Sequence, residues 1–282
     1  MLNGIVIIAT GAPFYGRMAY NLAVTIKSTE DIPVAVLYNG SGLNHLSQKQ
    51  RDIFDSIVEI ETNSFAAKLC LYDHSPYQHT LYLDADMAWL PYRKPSQLFS
   101  ELQNVDFTSI TEGYFDYETG DDKGNLMYHY WCDVGEAKEK YKLSGKYYQW
   151  RSEVIYFKKG AISKKLFEEA KKIYAKPKVD ARKFAGHIPD ELAINIAACK
   201  LGIEPHQFRW LPAYWHRLHG EGKGLADIAR NYYLLSVGGN YASGTMKDCY
   251  NRVCKAAHNK LKLQYLFTLQ SKKAVLPERI KM

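Results

Sequence analysis

The residues best placed to do chemistry are Asp84 and Asp86, in the run Leu81-Tyr82-Leu83-Asp84-Ala85-Asp86-Met87. Along a strand, positions i and i+2 point to the same side, so the two carboxylates are expected to converge where an apolar strand emerges. Two like charges held close together are costly unless a cation neutralises them. A hard divalent ion does so and keeps positions open for phosphate oxygens. The competing reading is a plain acidic turn or a helix cap. The apolar residues on both sides of the pair favour the metal reading.

The elements that must position this pair are legible as an alternation. Gly4 to Thr10 is a continuous apolar, β-branched run ending at Gly11, the pattern of a buried parallel strand. Helical spacing follows over Met18 to Lys27, then a strand at Ile32 to Tyr38 and a helix at Gln48 to Phe54. A short strand at Ile57 to Ile60, a helix at Ser64 to Tyr72 and a strand at Thr80 to Asp84 complete the first hundred residues. The chain is therefore expected to be α/β, with a Rossmann-like, mostly parallel mixed sheet flanked by helices and its ligands at the carboxyl ends of the strands. Farther on, Ser152 to Lys158 predicts a strand, and Lys164 to Tyr174 and Asp190 to Leu201 predict helices. Residues 113–150 show no clear period. Thr245 and Asp248 have the spacing of a capping box opening a helix to about residue 269, with Tyr250, Val253, Cys254, Ala257 and Leu261 inward.

The chain has 282 residues, 46% hydrophobic and 24% charged, which is ordinary for a soluble globular protein and wrong for a disordered one. The net charge of +7 is local: residues 251–282 hold eight basic side chains against Glu278 alone. Such a segment reads either as contact with an anionic surface, membrane headgroups or nucleic acid, or as a solvated helix face. The five cysteines are odd in number and never spaced C-x-x-C, which argues against a disulfide scaffold and a zinc site and fits a reducing cytoplasm. Neither a signal peptide nor a bilayer-spanning apolar stretch is expected.

The order of five segments is similar to that of the family-8 glycosyltransferases and related GT-A enzymes. They are Lys68-Leu69-x-Leu71 with Tyr82 to Met87, Pro95 to Phe99, Ser152 to Phe157, Pro189 to Asn195, and His219-Gly220-Glu221-Gly222-Lys223. Together they span roughly residues 1–225. The resemblance implies a GT-A fold and manganese- or magnesium-dependent transfer of a hexose, with retention, from a nucleotide sugar, usually a UDP-sugar, to a saccharide, glycolipid or other hydroxyl acceptor.

By match of position, Asp84, Asp86 and His219 would hold the metal and Lys223 would neutralise the diphosphate. Lys68 would touch the donor or the metal-binding carboxylates, and Asp190 and Glu191 would face the donor sugar and the reacting centre. Thr10, Tyr15, Ala85, Ser152 and Gly220 would complete the donor site, the first two at base and ribose. The implied organisation is a catalytic domain over 1–240 and a basic amphipathic helical segment over 241–282. Within the first, 1–100 would be the nucleotide-binding half, 112–150 an aromatic acceptor loop and 151–240 the acceptor and metal half.

Three departures stand out. The first loop, Thr10-Gly11-Ala12-Pro13-Phe14, lacks the acidic residue that often contacts the base. Arg151-Ser152-Glu153 replaces the usual Asn-Ser-Gly, and Gly224 stands where a proline commonly follows the lysine. The ten aromatic residues between Glu112 and Trp150, with the basic segment, keep open an acceptor such as modified DNA or another polyanion. A catalytically silent carbohydrate- or nucleic-acid-binding module is the remaining alternative.

Overall fold

The computed structural model describes residues 2–62, 65–124, 130–184, 186–215, 223–238 and 244–265. The apolar opening run forms β1 (Asn3–Ala9), buried from Gly4 onward. Helix α1 (Pro13–Thr29) starts with proline in its first turn, where the missing N–H costs nothing. It buries Met18, Leu22, Ala23 and Ile26 against the sheet. Then come β2 (Val34–Tyr38), the short α2 (Gln48–Arg51) and β3 (Ser56–Glu59). A 3₁₀ turn (Phe65–Cys70) runs into α3 (Leu71–His74), in place of the single helix expected over 64–72. After β4 (His79–Asp84) and β5 (Met87–Trp89) come α4 (Pro95–Leu102), β6 (Phe107–Asp116), β7 (Asp122–Lys123) and α5 (Val134–Tyr141). The chain continues through β8 (Lys146–Lys158), α6 (Ala161–Ala175), α7 (Asp190–Lys200), β9 (Ala213–Tyr214), α8 (Leu225–Asn231), β10 (Leu234–Ser236) and α9 (Gly244–Lys260).

The main sheet has the order β3-β2-β1-β4-β8-β6-β7. Its first four strands are parallel and β8, β6 and β7 join antiparallel. A smaller sheet, β5-β10-β9, takes the chain directly after the Asp84 region. One apolar core lies between the main sheet and α1, α9 and the smaller sheet; the other lies beneath α5, α6 and α7. The expected α/β architecture is the one observed.

Several local expectations change. Segment 112–150, expected as an aromatic loop, contains the end of β6, the β7 hairpin, α5 and the start of β8. Tyr117, Tyr130, Tyr141, Tyr147, Tyr148 and Trp150 are buried there, so most of the segment's aromatic area builds the second core. Alternating strands explain why no helical period is visible. Helix α9 stops at Lys260, ahead of residue 269, and Lys262 follows with a left-handed φ of 55°. Thr245 lies inside its first turn and is not its cap, because the helix starts at Gly244. The apolar stripe does face inward, together with the unexpected polar pair Lys247 and His258. Because α9 completes the core that α1 begins, residues 244–260 pack as part of the same body as the sheet.

Strand register sets the functional edge. Ile8 of β1 pairs with Asp84, so the loop that begins at Thr10 and the carboxyl end of β4 lie side by side. Leu83 pairs with Val154, which brings Arg151-Ser152-Glu153 of β8 against the same edge. Between β6 and β8 the pairing jumps from Ser109–Ile155 to Ile110–Arg151. Residues 152–154 are thereby released from β6, the kind of irregularity that re-aims side chains next to active sites. Ser109 Oγ closes the break by donating to the Val154 carbonyl at 2.9 Å.

Candidate functional site

Asp84 is the last residue of β4, and Ala85 and Asp86 form a turn before β5. The convergence of Asp84 and Asp86 by strand alternation therefore does not apply. The i, i+2 pair on the strand is Tyr82 and Asp84, and the Tyr82 hydroxyl donates to Asp84 Oδ1. Burial, reinforced by the Asp84 charge, pushes the Tyr82 hydroxyl far above its ordinary value, so it stays a donor. Asp86 is half-buried in the turn, and its carbonyl accepts from the Val237 N–H at 3.1 Å.

Lys68, in the 3₁₀ turn, is the central cation. Its Nζ lies 2.9 Å from Asp84 Oδ1 and 3.0 Å from Ser152 Oγ, and it donates to the Ser152 carbonyl at 3.2 Å. Burial alone would lower the Lys68 pKa. The Asp84 and Asp190 charges overturn that and raise it, favouring the ammonium form.

Asp190 and Glu191 open α7 directly after Pro189, where first-turn carboxylates are favoured by the helix dipole. Their environments differ. Glu191 is fully engaged: Trp131 Nε1 donates to Oε2 at 2.5 Å and the Ser152 N–H donates to Oε1 at 3.1 Å. Asp190, only 2% exposed, keeps Oδ2 without a hydrogen-bond partner among the described residues. Burial pushes its carboxyl up to about 6, against the pull of Lys68. A buried acceptor left open in this way is a place for a ligand's donor.

Sequence reasoning missed the arginine centre beside them. Arg151 reaches Glu153 at 3.2 Å, Glu112 at 3.3 Å and Glu191 at 3.8 Å, and its guanidinium lies 5.3 Å from the Trp215 ring. Burial raises the Glu153 carboxyl and pushes Glu112 up to about 7. Among the described residues, Asp84, Asp190, Glu112, Glu153 and Glu191 outnumber Lys68 and Arg151, and the raised carboxyls of Asp190, Glu112 and Glu153 relieve part of that excess by holding protons more tightly. The departure at Arg151-Ser152-Glu153 was the one sequence signal for this cluster. Trp131 and Glu112 lie in the segment 112–150 expected as an aromatic acceptor loop, though neither stood out from it as a carboxylate-site residue, and Trp215 carried no signal in the sequence.

The structure brings Lys68, Asp84, Ser152, Asp190 and Glu191 together, with the buried Ala85 beside them. Thr10 and the half-exposed Tyr15 lie on the same carboxyl edge, in the loop after β1 and the first turn of α1. Lys223 is exposed, sits 5.7 Å over the Tyr232 ring and makes no ion pair among the described residues. His219 and Gly220 lie outside the described residues. Among the described residues, no three side chains of metal-binding type converge. Asp84 and Asp86 carry oxygen donors of the hard kind that magnesium or manganese takes, while Asp84 is already held by Lys68 and the Tyr82 hydroxyl. A set restricted to these two leaves coordination for substrate oxygens or for His219.

No protein-family model and no curated protein matches the chain. Solved structures do match it in shape. The bifunctional glycosyltransferase WbbM, in its apo form, superposes with a TM-score of 0.54 at 11% identity, over 93% of this chain and 52% of its own. This chain therefore spans about half the length of WbbM. The galactosyltransferase LgtC, solved in complex with donor and acceptor sugar analogues, superposes with a TM-score of 0.53 at 15% identity, over 91% of this chain and 95% of its own. The α/β architecture described above is the GT-A-type fold that these glycosyltransferases share.

Proposed function

We propose that the protein is a metal-dependent glycosyltransferase that moves a hexose, with retention, from a UDP-sugar to a saccharide or glycolipid hydroxyl. The observation that carries this reading is the Lys68–Asp84–Ser152–Glu191 network, with the open Asp190 oxygen, at the carboxyl edge of a GT-A-type sheet. Asp84 and Asp86, with His219, would hold a manganese or magnesium ion, which when bound supplies charge neutralisation at the diphosphate.

Breaking the bond between sugar and diphosphate builds negative charge on the leaving phosphate, and fixed positive charge there lowers the barrier. Lys68 supplies such a charge within the network, and Lys223 supplies a second on the exposed rim. Asp190 Oδ2 accepts a hydroxyl of the sugar and fixes its orientation. Glu191, held at both oxygens, is oriented beside the developing oxocarbenium ion. Thr10 and Tyr15 receive the base and ribose at the neighbouring strand end.

The outward face of α9, with Arg252, Lys255 and Lys260 exposed, is assigned to an anionic membrane surface that carries the acceptor. Among the described residues no helix is long and apolar enough to cross a membrane. Incubation with a panel of nucleotide sugars and manganese tests the reading, because a transferase releases sugar slowly to water even without acceptor. UDP-sugar cleavage that stops on chelation, with the product's anomeric configuration kept, is the expected result. No cleavage of any nucleotide sugar would refute the proposal and leave a silent binding module. Acceptor binding that collapses with salt and follows DNA would replace the glycolipid with a polyanion.

A further inference from the structure

Beside the carboxylates lies an aromatic surface that the reaction above does not use. In a 3₁₀ turn, side chains at i and i+3 eclipse, so Phe65 stands on the same side of its turn as Lys68. The Phe65 ring lies 6.0 Å from Phe184 and 6.3 Å, edge-on, from His187. Phe184 lies in turn 6.3 Å from Trp131, whose indole N–H is the donor to Glu191. The cluster therefore borders the site twice, through Lys68 on one side and Glu191 on the other.

It faces solvent, and its backbone is hydrogen-bonded on both sides. Phe184 is 45% exposed and His187 is also exposed. Phe184 and His187 exchange both backbone hydrogen bonds, at 2.8 and 3.0 Å, across a tight turn in which Gly186 takes φ +81°. That conformation favours glycine, which meets no Cβ penalty there. The Arg182 N–H donates to the Trp131 carbonyl at 2.9 Å and ties the turn to the indole's segment. Three residues after His187, the same segment starts α7 with Asp190. An exposed aromatic on a hydrogen-bonded turn, next to a cluster of carboxylates, combines an apolar face with hydroxyl acceptors, the two things a sugar ring needs.

We propose that Phe184, with Phe65 and Trp131, forms a stacking platform for a pyranose ring, and that this ring is the acceptor. The acceptor role rests on the transferase reading; the pyranose-binding role does not. A nucleobase is the less favoured occupant, because the platform stands at the start of α7, whereas the loop after β1 leads into α1 on the opposite core.

The test is saturation-transfer NMR on the full chain with methyl glucopyranoside, methyl galactopyranoside and, as a ringless control, glycerol. UDP with manganese is titrated in parallel. Pyranosides are expected to bind and glycerol not. Phe184→Ala should weaken pyranoside binding about fivefold and Phe184→Trp should restore it, in line with one aromatic face contact. Tyr92→Ala, at a tyrosine 69% exposed and outside the cluster, should leave pyranoside binding unchanged. Pyranoside affinity that survives Phe184→Ala overturns the platform. So does a loss that falls on UDP and spares the sugars. Nucleotide-sugar cleavage by the unmodified chain without pyranoside binding defeats the platform alone. Pyranoside binding through Phe184 without any cleavage defeats the transferase reading and leaves the platform standing.

Discussion

Replacing Glu112 with glutamine isolates the cost of crowding carboxylates around one arginine. Glu112 is 4% exposed, neither of its oxygens has a hydrogen-bond partner among the described residues, and its cation, Arg151, is shared with Glu153 and Glu191. Burial pushes its carboxyl from 4.5 up to about 7, Arg151 opposes the rise, and the two neighbouring glutamates add to it. A carboxyl whose pKa is higher in the folded state binds its proton more tightly there. Its contribution is thus greatest at low pH and fades as pH climbs from about 4.5 through 7. At about 1.4 kcal/mol per pH unit, the stability lost between pH 5 and pH 8 comes to roughly 2–3 kcal/mol. Glutamine keeps the shape and carries no proton to lose. Urea unfolding at half-unit steps from pH 5 to 8 should therefore show the difference between Glu112→Gln and the parent moving toward the variant by that amount. Parallel curves would refute the reasoning, and so would a parent that gains on the variant as pH rises.

Three further outcomes follow from the same geometry. Asp86→Asn should abolish metal-dependent transfer while the melting temperature stays close to the parent's, because the side chain lies in a half-buried turn outside both cores; transfer assays with manganese and a thermal melt check both halves. Lys68→Met should cost about 3 kcal/mol in denaturant unfolding, since it strands Asp84 and Asp190 without their cation, and should weaken UDP binding by calorimetry. Gly16→Ala would place a Cβ 2.0 Å from the Gly42 carbonyl oxygen, a backbone atom that cannot swing aside. A loss of about 2–3 kcal/mol is expected by the same unfolding assay, with weaker UDP binding because the first turn of α1 and the loop after β2 are pushed apart.

Much of the fold is legible locally. Val6 to Ile8 and Val34 to Leu37 are continuous apolar runs because strands buried on both faces admit nothing else, and the Met18 to Ile26 stripe repeats at helical spacing. Thus β1, β2, β4, α1 and α7 stand where the sequence places them, and Asp84 and Asp190 can be recognised as strand-end and helix-start carboxylates. The 112–150 region is opaque for the opposite reason. Its rings are buried by strands that pair with partners distant in sequence, so no local period betrays them.

What the sequence by itself determined is therefore the set of elements and the chemical types at their ends: a parallel βα half, an acidic turn after β4, and acidic residues opening α7. Which of these groups meet was decided only by tertiary structure. Antiparallel pairing of β8 with β4 and β6, broken at Ser109, delivers Arg151 to Glu112 and Ser152 to Lys68 and Glu191. Whether a carboxylate ends up saturated, as Glu191 is, or keeps an open oxygen, as Asp190 does, depends on donors brought from other strands and turns. Register and desolvation belong to the assembled sheet, and no property of the residues one at a time contains them.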